Sequence, residues 1–547
     1  MRGQTKLKSI AFILAEHFKR WGITCVFGIP GKPIVPLIIE LDKQGIDFIL
    51  NKHEGGSGYA AAGYAMMNRK LGVAIATSGP GGTNILTSAG QAKAYHLPVL
   101  FITGQPPIND AGKALGQDST LFGTDLVKMF EPVTKFSVRV ERPDQFKRYL
   151  QHALEKAHYG LKGPVHLSIP SNILNEQVEE FKLDLPSNAC ESISSRLDEF
   201  KNKLDNSKKT VILCGKGVHS SLAYDEVEEI AELWNIPVMT TPGGKGTFKE
   251  NHPLSLGALG LGGTTRAKKY INSGVDLMIV IGSKLSDMSL VDISSDSYPK
   301  EVIHLDYEPT FIAKSLVVPT LPIIGDIKTN LRFLLNKVSE VTRNKFELLN
   351  EGIEIIQEDT DPYMSAVKAI KVIRQELPDD SIIFGDDGSH TFYAIKYFNI
   401  RKTGTFFFDD VFGAMGHAIG YSIGAQLAND KARIICLTGD GCVFMHGNEM
   451  STAANYNIPV TFIIFNNGRL DMVDKGMQHN FGKAVGTKYM IPLDIEKFGQ
   501  SMGIRSFKCF NQFSLKKALK NSNSHNETVI IEVMVDPYEI PPTIERG

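Results

Sequence analysis

The sequence predicts an α/β protein built from three doubly wound domains with parallel sheets. Short apolar runs rich in Val, Ile and Phe alternate with helical patterns along the 547 residues, the order expected of repeated strand–helix–strand units. Polar stretches at about 175–205 and 338–362, the second charged and helical in pattern, divide the chain into three segments. We therefore place the domains at 1–172, 190–340 and 362–547.

Each segment contains five predicted strands. Those of the first are TCVFGIP, FIL, GVAIATS, PVLFITG and PVHLSIP. Those of the second are KTVILCGKGV, IPVMTT, VDLMIVIGS, EVIHLDYEP and LPIIGD. Those of the third are SIIFGDDGS, TFFFDD, ARIICLTGD, PVTFIIFNN and TVIIEVMVD. Because helical patterns separate these runs, we expect each domain to carry a parallel sheet.

Composition argues against several classes of protein. The formal charge is −1 and no block of like charges occurs, so neither nucleic acid nor an anionic membrane is indicated as a partner. Six scattered Cys without a C-x-x-C pair are typical of buried thiols in a reducing compartment. No apolar stretch approaches the roughly 18 residues of a membrane span. We expect a soluble, cytoplasmic protein.

Two predicted strands of the third domain end on a small residue with a side-chain oxygen. The run IICLT stops at Gly-Asp-Gly around Asp440, and the run VTFIIF stops at an Asn-Asn pair that ends with Asn467. The two residues are 27 positions apart (467 − 440), which is room for a helix of about four turns and a returning strand. Ligands of open α/β sheets bind where the carboxyl ends of parallel strands meet. We therefore expect Asp440 and Asn467 to lie side by side.

Their chemistry predicts a site for Mg²⁺ and a phosphorylated ligand. Carboxylate, amide and backbone carbonyl oxygens are hard ligands that suit Mg²⁺, and the carbonyl of Arg469 is a third candidate. Gly439 and Gly441 would let the backbone approach a bulky anion. The alternative is a pair of tight turns whose residues are chosen for positive φ. Because Asp440 and Asn467 both follow predicted strands, we favour the metal site over the turns.

G-D-G followed about 27 residues later by N-N resembles the signature of the thiamine diphosphate (ThDP) enzymes. The resemblance implies that Asp440, Asn467 and the Arg469 carbonyl bind Mg²⁺. It also implies that the residues around Asp440 contact the cofactor, namely Gly439, Gly441 and Cys442. The three domains would be a pyrimidine-binding, a central Rossmann-like and a diphosphate-binding domain.

The upstream sequence DDGSHTF resembles the turn that holds the diphosphate in this family. The resemblance implies that Gly388, Ser389 and His390 bind the cofactor. A His at this place could donate a hydrogen bond to phosphate. The alternative for His390 is an ordinary loop residue.

The sequence NKHEGGSGYAAAGYAM resembles the family pattern H-E-x-x-A-x-x-A-A-x-G-Y-A, with Ser57 at the first Ala. The resemblance implies that Glu54 is the acid that exchanges a proton with N1′ of the pyrimidine. The following SGPGGTN adds Pro80 as a cofactor-binding residue. The alternative for Glu54 is a surface acid favoured by a helix dipole. Small residues after Glu54 predict close packing at an interface, which the family forms between two subunits.

The sequence FGAMGHAIG resembles the stretch whose apolar side chain supports the bent cofactor in this family. The resemblance implies Met415 for that role, with the Gly413 carbonyl and the Met415 amide facing the pyrimidine. The alternative is a Met that fills a gap in the core.

The resemblance covers nearly the whole chain and is closest to acetolactate synthases, through stretches such as VFGIPG, TSGPGGTN, ITGQPP and HPLSLGALGLGG. It implies a carboligase that decarboxylates a 2-keto acid, most simply pyruvate, and joins the resulting enamine to a second carbonyl acceptor in branched-chain amino acid biosynthesis. The active unit would be a homodimer or homotetramer with sites at the subunit interface. Gln117 and Lys135 occupy substrate-side positions of the family, although both could be ordinary polar residues.

Three positions depart from the biosynthetic acetolactate synthases. Gly55 replaces Gln, Gly116 replaces Phe and Gly476 replaces Trp, which predicts a roomier acceptor site. Flavin-binding members carry an R-F-D-D-R-like stretch where this chain has SKLSDMS, so we expect ThDP and Mg²⁺ without tightly bound FAD. The turn CGKGV could still hold a nucleotide, but a short Gly motif is weak evidence. The alternatives are another ThDP enzyme, such as a decarboxylase or an oxidase, and a scaffold without activity.

Overall fold

The computed structural model describes residues 6–187, 192–291, 293–337, 346, 358–524 and 526–544. Within them the chain forms three six-stranded sheets and a small two-stranded sheet. Each six-stranded sheet is made by one of the three predicted segments, so the α/β fold of three doubly wound domains is confirmed. The helical pattern predicted at 338–362 lies mostly outside the described residues.

The first domain has a parallel sheet with helices on both faces. Its strands are β1 (Leu7–Ser9), β2 (Cys25–Gly28), β3 (Asp47–Leu50), β4 (Gly72–Ala76), β5 (Val99–Gln105), β6 (Ser137–Arg139), β7 (Val165–Pro170) and β8 (Gln177–Glu179). Its helices are α1 (Ile10–Arg20), α2 (Val35–Gln44), α3 (Glu54–Asn68), α4 (Pro80–Asn84), α5 (Leu86–Ala94), α6 (Leu126–Phe130), α7 (Phe146–His158) and α8 (Ser171–Asn175). The sheet order is β3-β2-β4-β5-β7-β6. Strand β1 pairs antiparallel with β8, so the chain stays with this domain a little beyond residue 172.

The central domain has the same architecture as the first. Its strands are β9 (Thr210–Cys214), β10 (Val238–Thr240), β11 (Ser255–Ala258), β12 (Leu277–Ile281), β13 (Glu301–Asp306) and β14 (Thr320–Ile324). Its helices are α9 (Leu197–Asn206), α10 (Lys216–Ser221), α11 (Tyr224–Trp234), α12 (Thr265–Asn272), α13 (Asp287–Leu290) and α14 (Ile327–Asn336). The order β11-β10-β9-β12-β13-β14 reverses direction between β9 and β12, where doubly wound sheets bind ligands.

The third domain has the same architecture. Its strands are β15 (Ile382–Gly385), β16 (Phe406–Phe408), β17 (Ile434–Gly439), β18 (Thr461–Asn466), β19 (Arg505–Cys509) and β20 (Val529–Met534). Its helices are α15 (Ala366–Glu376), α16 (Ser389–Tyr397), α17 (His417–Ala428), α18 (Asp440–His446), α19 (Met450–Asn455), α20 (Asp471–Phe481), α21 (Ile495–Ser501) and α22 (Gln512–Ser524). The order β16-β15-β17-β18-β20-β19 reverses between β15 and β17.

The first and third domains share one apolar core through helices α3 and α17. Residues 54–66 of α3 are all buried, as expected for a helix of Gly and Ala with little polar surface. A Cβ atom on Gly63 would overlap the backbone of Tyr421, and one on Gly424 would overlap the carbonyl of Ala60. Only glycine therefore allows the two helices to come this close. The predicted close packing is present, and here it lies within one chain.

Among the residues that the structure describes, no helix is both long enough and apolar enough to cross a lipid bilayer.

Candidate active site

The two predicted metal ligands lie at neighbouring strand ends. Strand β17 pairs in parallel with β18, with Gly439 opposite Phe465, so Asp440 and Asn467 follow adjacent strands at one edge of the sheet. The single helix of four turns that we expected between them is two short helices, α18 and α19, joined by a 3₁₀ turn. Strands β17 and β18 are nevertheless parallel neighbours, as the spacing predicts.

A cavity of about 220 Å³ opens at this edge, between the ends of β15, β17 and β18. It takes in every site residue that the sequence predicted in this domain, namely Gly388, Ser389, His390, Gly413, Met415, Gly439, Asp440, Gly441, Cys442, Asn467 and Arg469. It is also lined by three acids that were not predicted from the sequence, Asp387, Asp471 and Asp536. The cavity lies at the point where the strand order reverses, as expected for a ligand site of a doubly wound sheet.

Asp440 has the environment of a metal ligand. Its side chain is 4% exposed, and its two carboxylate oxygens accept hydrogen bonds from the amides of Gly441 (2.9 Å) and Gly468 (2.8 Å). Burial raises the pKa of Asp440 to about 7, because a desolvated carboxylate is costly without a counter-charge. A divalent cation between Asp440, the Asn467 amide and the Arg469 carbonyl would supply that charge, so these residues fit Mg²⁺.

The opposite wall of the cavity fits a phosphate group. The Nε2 atom of His390 is buried and has no hydrogen-bond partner among the described residues, a costly state that a polar ligand would relieve. A Cβ atom on Gly439 would lie 2.9 Å from the His390 ring, so glycine is needed for the ring to reach this place. Helix α16 begins at Ser389, and helix N-termini favour anions. The predicted diphosphate turn therefore presents groups that could bind a phosphate.

Met415 lies over the end of the cavity that contains Asp440. Its Cε atom would be 3.0 Å from a Cβ on Gly441, the residue next to Asp440. The turn that carries Met415 is held by Asp386, whose Oδ1 accepts a hydrogen bond from the amide of Gly416 (2.8 Å). Met415 thus projects from a fixed turn into the space beside Asp440.

A buried ion pair fixes the same turn. His417 Nδ1 lies 2.8 Å from the carbonyl of Ala414 and 3.2 Å from Asp386 Oδ1, and Thr438 donates to Asp386 Oδ2 (2.9 Å). Burial alone would lower the pKa of His417, but the hydrogen bond and charge of Asp386 raise it to about 9. His417 is therefore protonated at neutral pH, and the pair joins the end of β15 to the start of α17.

This pair predicts a loss of stability in alkaline solution. The folded pKa of His417 is above its ordinary value of 6.5, so its contribution is complete below pH 6.5 and is lost as pH rises through about 9. The shift corresponds to about 3 kcal/mol. We expect the thermal midpoint of the ligand-free protein to fall between pH 6.5 and 9, and His417→Gln to reduce that fall. Equal pH profiles for both proteins would show that the ion pair contributes nothing.

Glu54 lies outside this cavity in the described chain. It is the first residue of α3, is 8% exposed, and its Oε2 accepts a hydrogen bond from the Asn84 side chain (3.0 Å). Asn84 ends the short helix that Pro80 begins. Glu54 and Pro80, the predicted cofactor-binding residues of the first domain, are therefore neighbours. A Cβ on Gly55 would lie 3.1 Å from His446, at the far end of the helix that begins with Asp440. Helix α18 therefore separates Glu54 from Asp440.

Glu449, which the sequence reasoning missed, fixes the segment before Glu54. Its carboxylate is 1% exposed and accepts hydrogen bonds from the amides of Lys52 (2.9 Å) and His53 (2.8 Å) and from the Asn51 side chain (2.9 Å). The acid at the start of α3 is thus positioned by the third domain. A single Glu in a polar helical stretch carries no pattern that separates it from a surface residue.

Gln117 and Lys135 do not line the cavity among the described residues. Gln117 is exposed, has a φ of 54°, and lies beside Gly79, next to Pro80. Lys135 donates from Nζ to the carbonyls of Tyr159 (3.0 Å) and Leu161. Gln117 is therefore near the Glu54 side of the fold, whereas Lys135 is engaged in holding a loop.

The three glycines that differ from the family pattern have different surroundings. A side chain on Gly116 or on Gly476 would point into open space. A side chain on Gly55 would meet His53 at 3.0 Å and His446 at 3.1 Å. Room for a larger group thus exists at two of the three positions, but the chain itself closes the third.

A second cavity of about 220 Å³ lies at the switch point of the central sheet. Lys216, Lys284 and Asp306 are among its lining residues, and burial raises the pKa of Asp306 to about 6. A Cβ on Gly215 or on Gly217 would overlap the neighbouring turn at Gly282. The glycines of the CGKGV turn are therefore explained by turn–turn packing, with or without a nucleotide.

Comparison with known proteins agrees with the domain plan. Three family models match: the N-terminal TPP binding domain of thiamine pyrophosphate enzymes over residues 8–129, their central domain over 197–334, and their C-terminal TPP binding domain over 386–533. A protein of Methanocaldococcus jannaschii named "Probable acetolactate synthase large subunit" is 31% identical over 96% of this chain and 92% of its own length.

Two further relatives carry the name "Acetolactate synthase large subunit". The one from Corynebacterium glutamicum is 30% identical over 82% of this chain and 73% of its own length. The one from Lactococcus lactis subsp. lactis is 29% identical over 98% of this chain and 94% of its own length. Similarity therefore extends across all three domains.

Proposed function

This chain belongs to the thiamine pyrophosphate enzyme family, and on that premise we propose that it is an acetolactate synthase-like carboligase dependent on ThDP and Mg²⁺. It would decarboxylate a 2-keto acid, most simply pyruvate, and join the remaining fragment to a second carbonyl compound. The cavity between Asp440 and His390 carries the proposal. Its carboxylate and amide fit a metal ion, and the turn at 388–390 fits a diphosphate. The relatives named as acetolactate synthases support the choice of reaction.

The cavity offers a place for each part of the cofactor. Asp440, Asn467 and the Arg469 carbonyl would hold Mg²⁺, and the turn 388–390 would hold the diphosphate. When bound, ThDP supplies an electron sink for the carbon left after loss of CO₂. The Gly413 carbonyl and the Met415 amide would orient the pyrimidine.

Side chains of the protein supply orientation and proton transfer. Met415, held by the Asp386–His417 pair, would keep the two rings of the cofactor in a bent arrangement. Glu54 would exchange a proton with the pyrimidine nitrogen, a step that needs a carboxyl group within hydrogen-bonding reach. The buried position of Glu54 at a helix start favours a fixed orientation for that exchange.

We propose that the acid comes from a second copy of the chain. Glu54 is absent from the lining of the cavity in the described chain, so one copy alone does not complete the site. Large apolar side chains are exposed close to the metal-binding turn, with Met490 94% and Ile491 86% exposed, and Tyr489 is hydrogen-bonded to Gly468. Apolar surface of this kind marks protein–protein contacts. A homodimer, alone or paired into a tetramer, would cover it.

The acceptor pocket would differ from that of the biosynthetic enzymes. The open space at Gly116 and Gly476 favours an acceptor larger than pyruvate. Gln117, exposed and near Pro80, is the better placed of the two candidate substrate ligands. Lys135 would have to release two carbonyls before it could bind a substrate. A role in branched-chain amino acid biosynthesis in the cytoplasm is part of the same proposal.

Product analysis tests the reaction. The purified protein is incubated with ThDP, Mg²⁺ and pyruvate, with and without a panel of aldehyde and keto acid acceptors, and the products are identified by mass spectrometry. We expect a carboligation product, formed faster with a bulkier acceptor than with pyruvate itself. Acetaldehyde alone would indicate a decarboxylase, and acetyl phosphate an oxidase. A clear preference for pyruvate as acceptor would contradict the roomier site.

Flavin is not part of the proposed machinery. The SKLSDMS stretch differs from the flavin-binding pattern, and turn–turn packing accounts for the glycines of CGKGV. We expect the visible absorption spectrum of the purified protein to lack a flavin band. A stoichiometric flavin released on denaturation would overturn this expectation and assign the central cavity to it.

A further inference from the structure

Gln91 is a buried side chain of the first domain that contacts the turn before Met415. It lies on α5 and is fully buried, and none of the roles assigned above uses it. Its Nε2 donates a hydrogen bond to Asp409 Oδ2 (2.5 Å), and its Oε1 accepts one from the amide of Ala414 (3.3 Å). The two partners are 318 and 323 positions away along the chain. The first domain therefore holds the part of the third domain that leads into Met415.

Asp409 determines which way the amide group of Gln91 is turned. Its side chain is buried, and its second carboxylate oxygen accepts a hydrogen bond from the amide of Val411 (3.1 Å). A carboxylate accepts hydrogen bonds and donates none, so the nitrogen of Gln91 faces Asp409. The oxygen of Gln91 is then left for the N–H of Ala414. The orientation of this buried amide is therefore fixed by its surroundings.

The hydrogen bond to Ala414 sets the direction of the Gly413 carbonyl. The N–H of Ala414 and the C=O of Gly413 belong to one planar peptide unit, in which they point in opposite directions. Because Gln91 binds the N–H, the carbonyl is directed away from Gln91. Gly413 is a lining residue of the cofactor cavity, and its carbonyl is the group that we assign to the pyrimidine.

The next peptide unit is fixed in the same way. The carbonyl of Ala414 accepts hydrogen bonds from Nδ1 of His417 (2.8 Å) and from the backbone amide of His417 (3.3 Å). The N–H of Met415 belongs to the same unit and therefore points away from His417. The two groups that would orient the pyrimidine are thus each held from behind, one by Gln91 and the other by His417. Groups that are fixed before a ligand arrives lose little entropy when they bind it.

We propose that Gln91 is a positioning residue for the cofactor: by binding the N–H of Ala414, it directs the Gly413 carbonyl towards the pyrimidine. Gln91 acts through this peptide unit and does not touch the ligand. This inference rests on the cofactor orientation given under Proposed function. In the proposed dimer, the first domain of each chain then acts on two sites. Glu54 serves the site of the second copy, and Gln91 prepares the site of its own chain.

Binding measurements test this assignment without relying on activity. Calorimetric titration of the full-length, cofactor-free protein in Mg²⁺ compares ThDP with the diphosphate of hydroxyethylthiazole, which lacks the pyrimidine. The loss of one hydrogen bond corresponds to about fivefold in Kd. We expect Gln91→Met, which keeps the length of the side chain, to weaken ThDP binding about fivefold. The Kd of the thiazole diphosphate should not change.

Two further variants separate this role from a general effect on folding. Asp409→Asn offers one acceptor oxygen where the carboxylate offers two, so the amide of Gln91 can turn over. We expect it to weaken binding of ThDP alone, by less than Gln91→Met does. Gln426→Met is the matched control, because Gln426 is also buried and donates two hydrogen bonds, to the carbonyls of Asn429 (3.0 Å) and Ala432 (2.9 Å). It should change neither Kd.

Other results of the titration overturn the assignment. Equal weakening of both ligands by Gln91→Met would mean that Gln91 supports the cavity as a whole. Unchanged binding of both would mean that the turn keeps its shape without Gln91. A wild-type protein that binds neither ligand would remove the cofactor premise, and this inference with it. A wild-type protein that binds ThDP with the expected Gln91 dependence, yet makes no carboligation product, would refute the proposed reaction and leave this inference in place.

Discussion

Replacing Glu54 with Gln is expected to lower kcat by about a thousandfold while leaving the fold intact. Removal of a general acid or base costs on the order of a hundredfold to ten-thousandfold. Gln has the same shape, and its carbonyl oxygen can still accept the hydrogen bond from the Asn84 side chain. The variant keeps the hydrogen-bonding geometry at the start of α3 and loses only the exchangeable proton.

Steady-state kinetics of the Glu54→Gln protein with pyruvate and the best acceptor measure this effect. Circular dichroism and thermal midpoints serve as controls for folding. If wild type and variant are equally inactive with every substrate, the scaffold alternative gains support. If the variant keeps full activity, Glu54 is not the acid.

A mixing experiment extends the Glu54 result to the subunit arrangement. Glu54→Gln chains are combined with Asp440→Asn chains, each inactive alone. If the acid and the metal ligand of one site come from different chains, one of the two sites in each mixed dimer combines two wild-type residues, and activity returns in part. Failure to recover activity after confirmed subunit exchange would mean that each chain supplies its own acid.

Asp440→Asn is expected to weaken binding of ThDP and Mg²⁺ by about 100-fold, which corresponds to about 3 kcal/mol. Asp440 is the only acid among the proposed metal ligands, so the amide leaves the cation without a protein charge to balance it. The diphosphate would then lack the cation that Asp440, Asn467 and the Arg469 carbonyl would hold. Activity is lost as a consequence, but binding is the primary effect.

Thermal unfolding with and without ligand separates binding from folding in this variant. A ligand at 100 times its Kd stabilises the native state by about 2.7 kcal/mol. We expect ThDP with Mg²⁺ to raise the midpoint of the wild type and of an Asp430→Asn control, and to raise that of Asp440→Asn far less. An equal rise in all three proteins would show that Asp440 does not bind the metal.

Five strands of each large sheet were predicted from the sequence, and one edge strand of each was missed. All fifteen apolar runs quoted above contain a strand of the structure. The three additional strands of the large sheets, β6, β11 and β19, each lie at a sheet edge. The side chains of β6 are all half-buried and those of β19 are mostly so, since an edge strand has fewer covered neighbours. Without a continuous apolar run, such a strand has no clear pattern in a single sequence.

The residues of the candidate site that follow strand ends could be predicted from the sequence. Asp440, Asn467 and the 388–390 turn lie at positions that the sheet topology dictates, so spacing along the chain was sufficient. Glu449 was missed because its role depends on contacts between elements distant in sequence. The hydrogen bond from Asn51 to Glu449 joins residues 398 positions apart. Such contacts follow from the tertiary fold and leave no local pattern.

The contact between the first and third domains has a consequence for how the protein is made. The amide of His53 donates to Glu449, 396 residues later in the chain. A ribosome adding about 5 to 20 residues per second needs roughly 20 to 80 s to cover that distance. For most of this interval the Gly- and Ala-rich surface of α3 lacks the helix α17 that buries it. The nascent first domain is therefore expected to need a chaperone, or a slow and reversible association, until α17 has been synthesised.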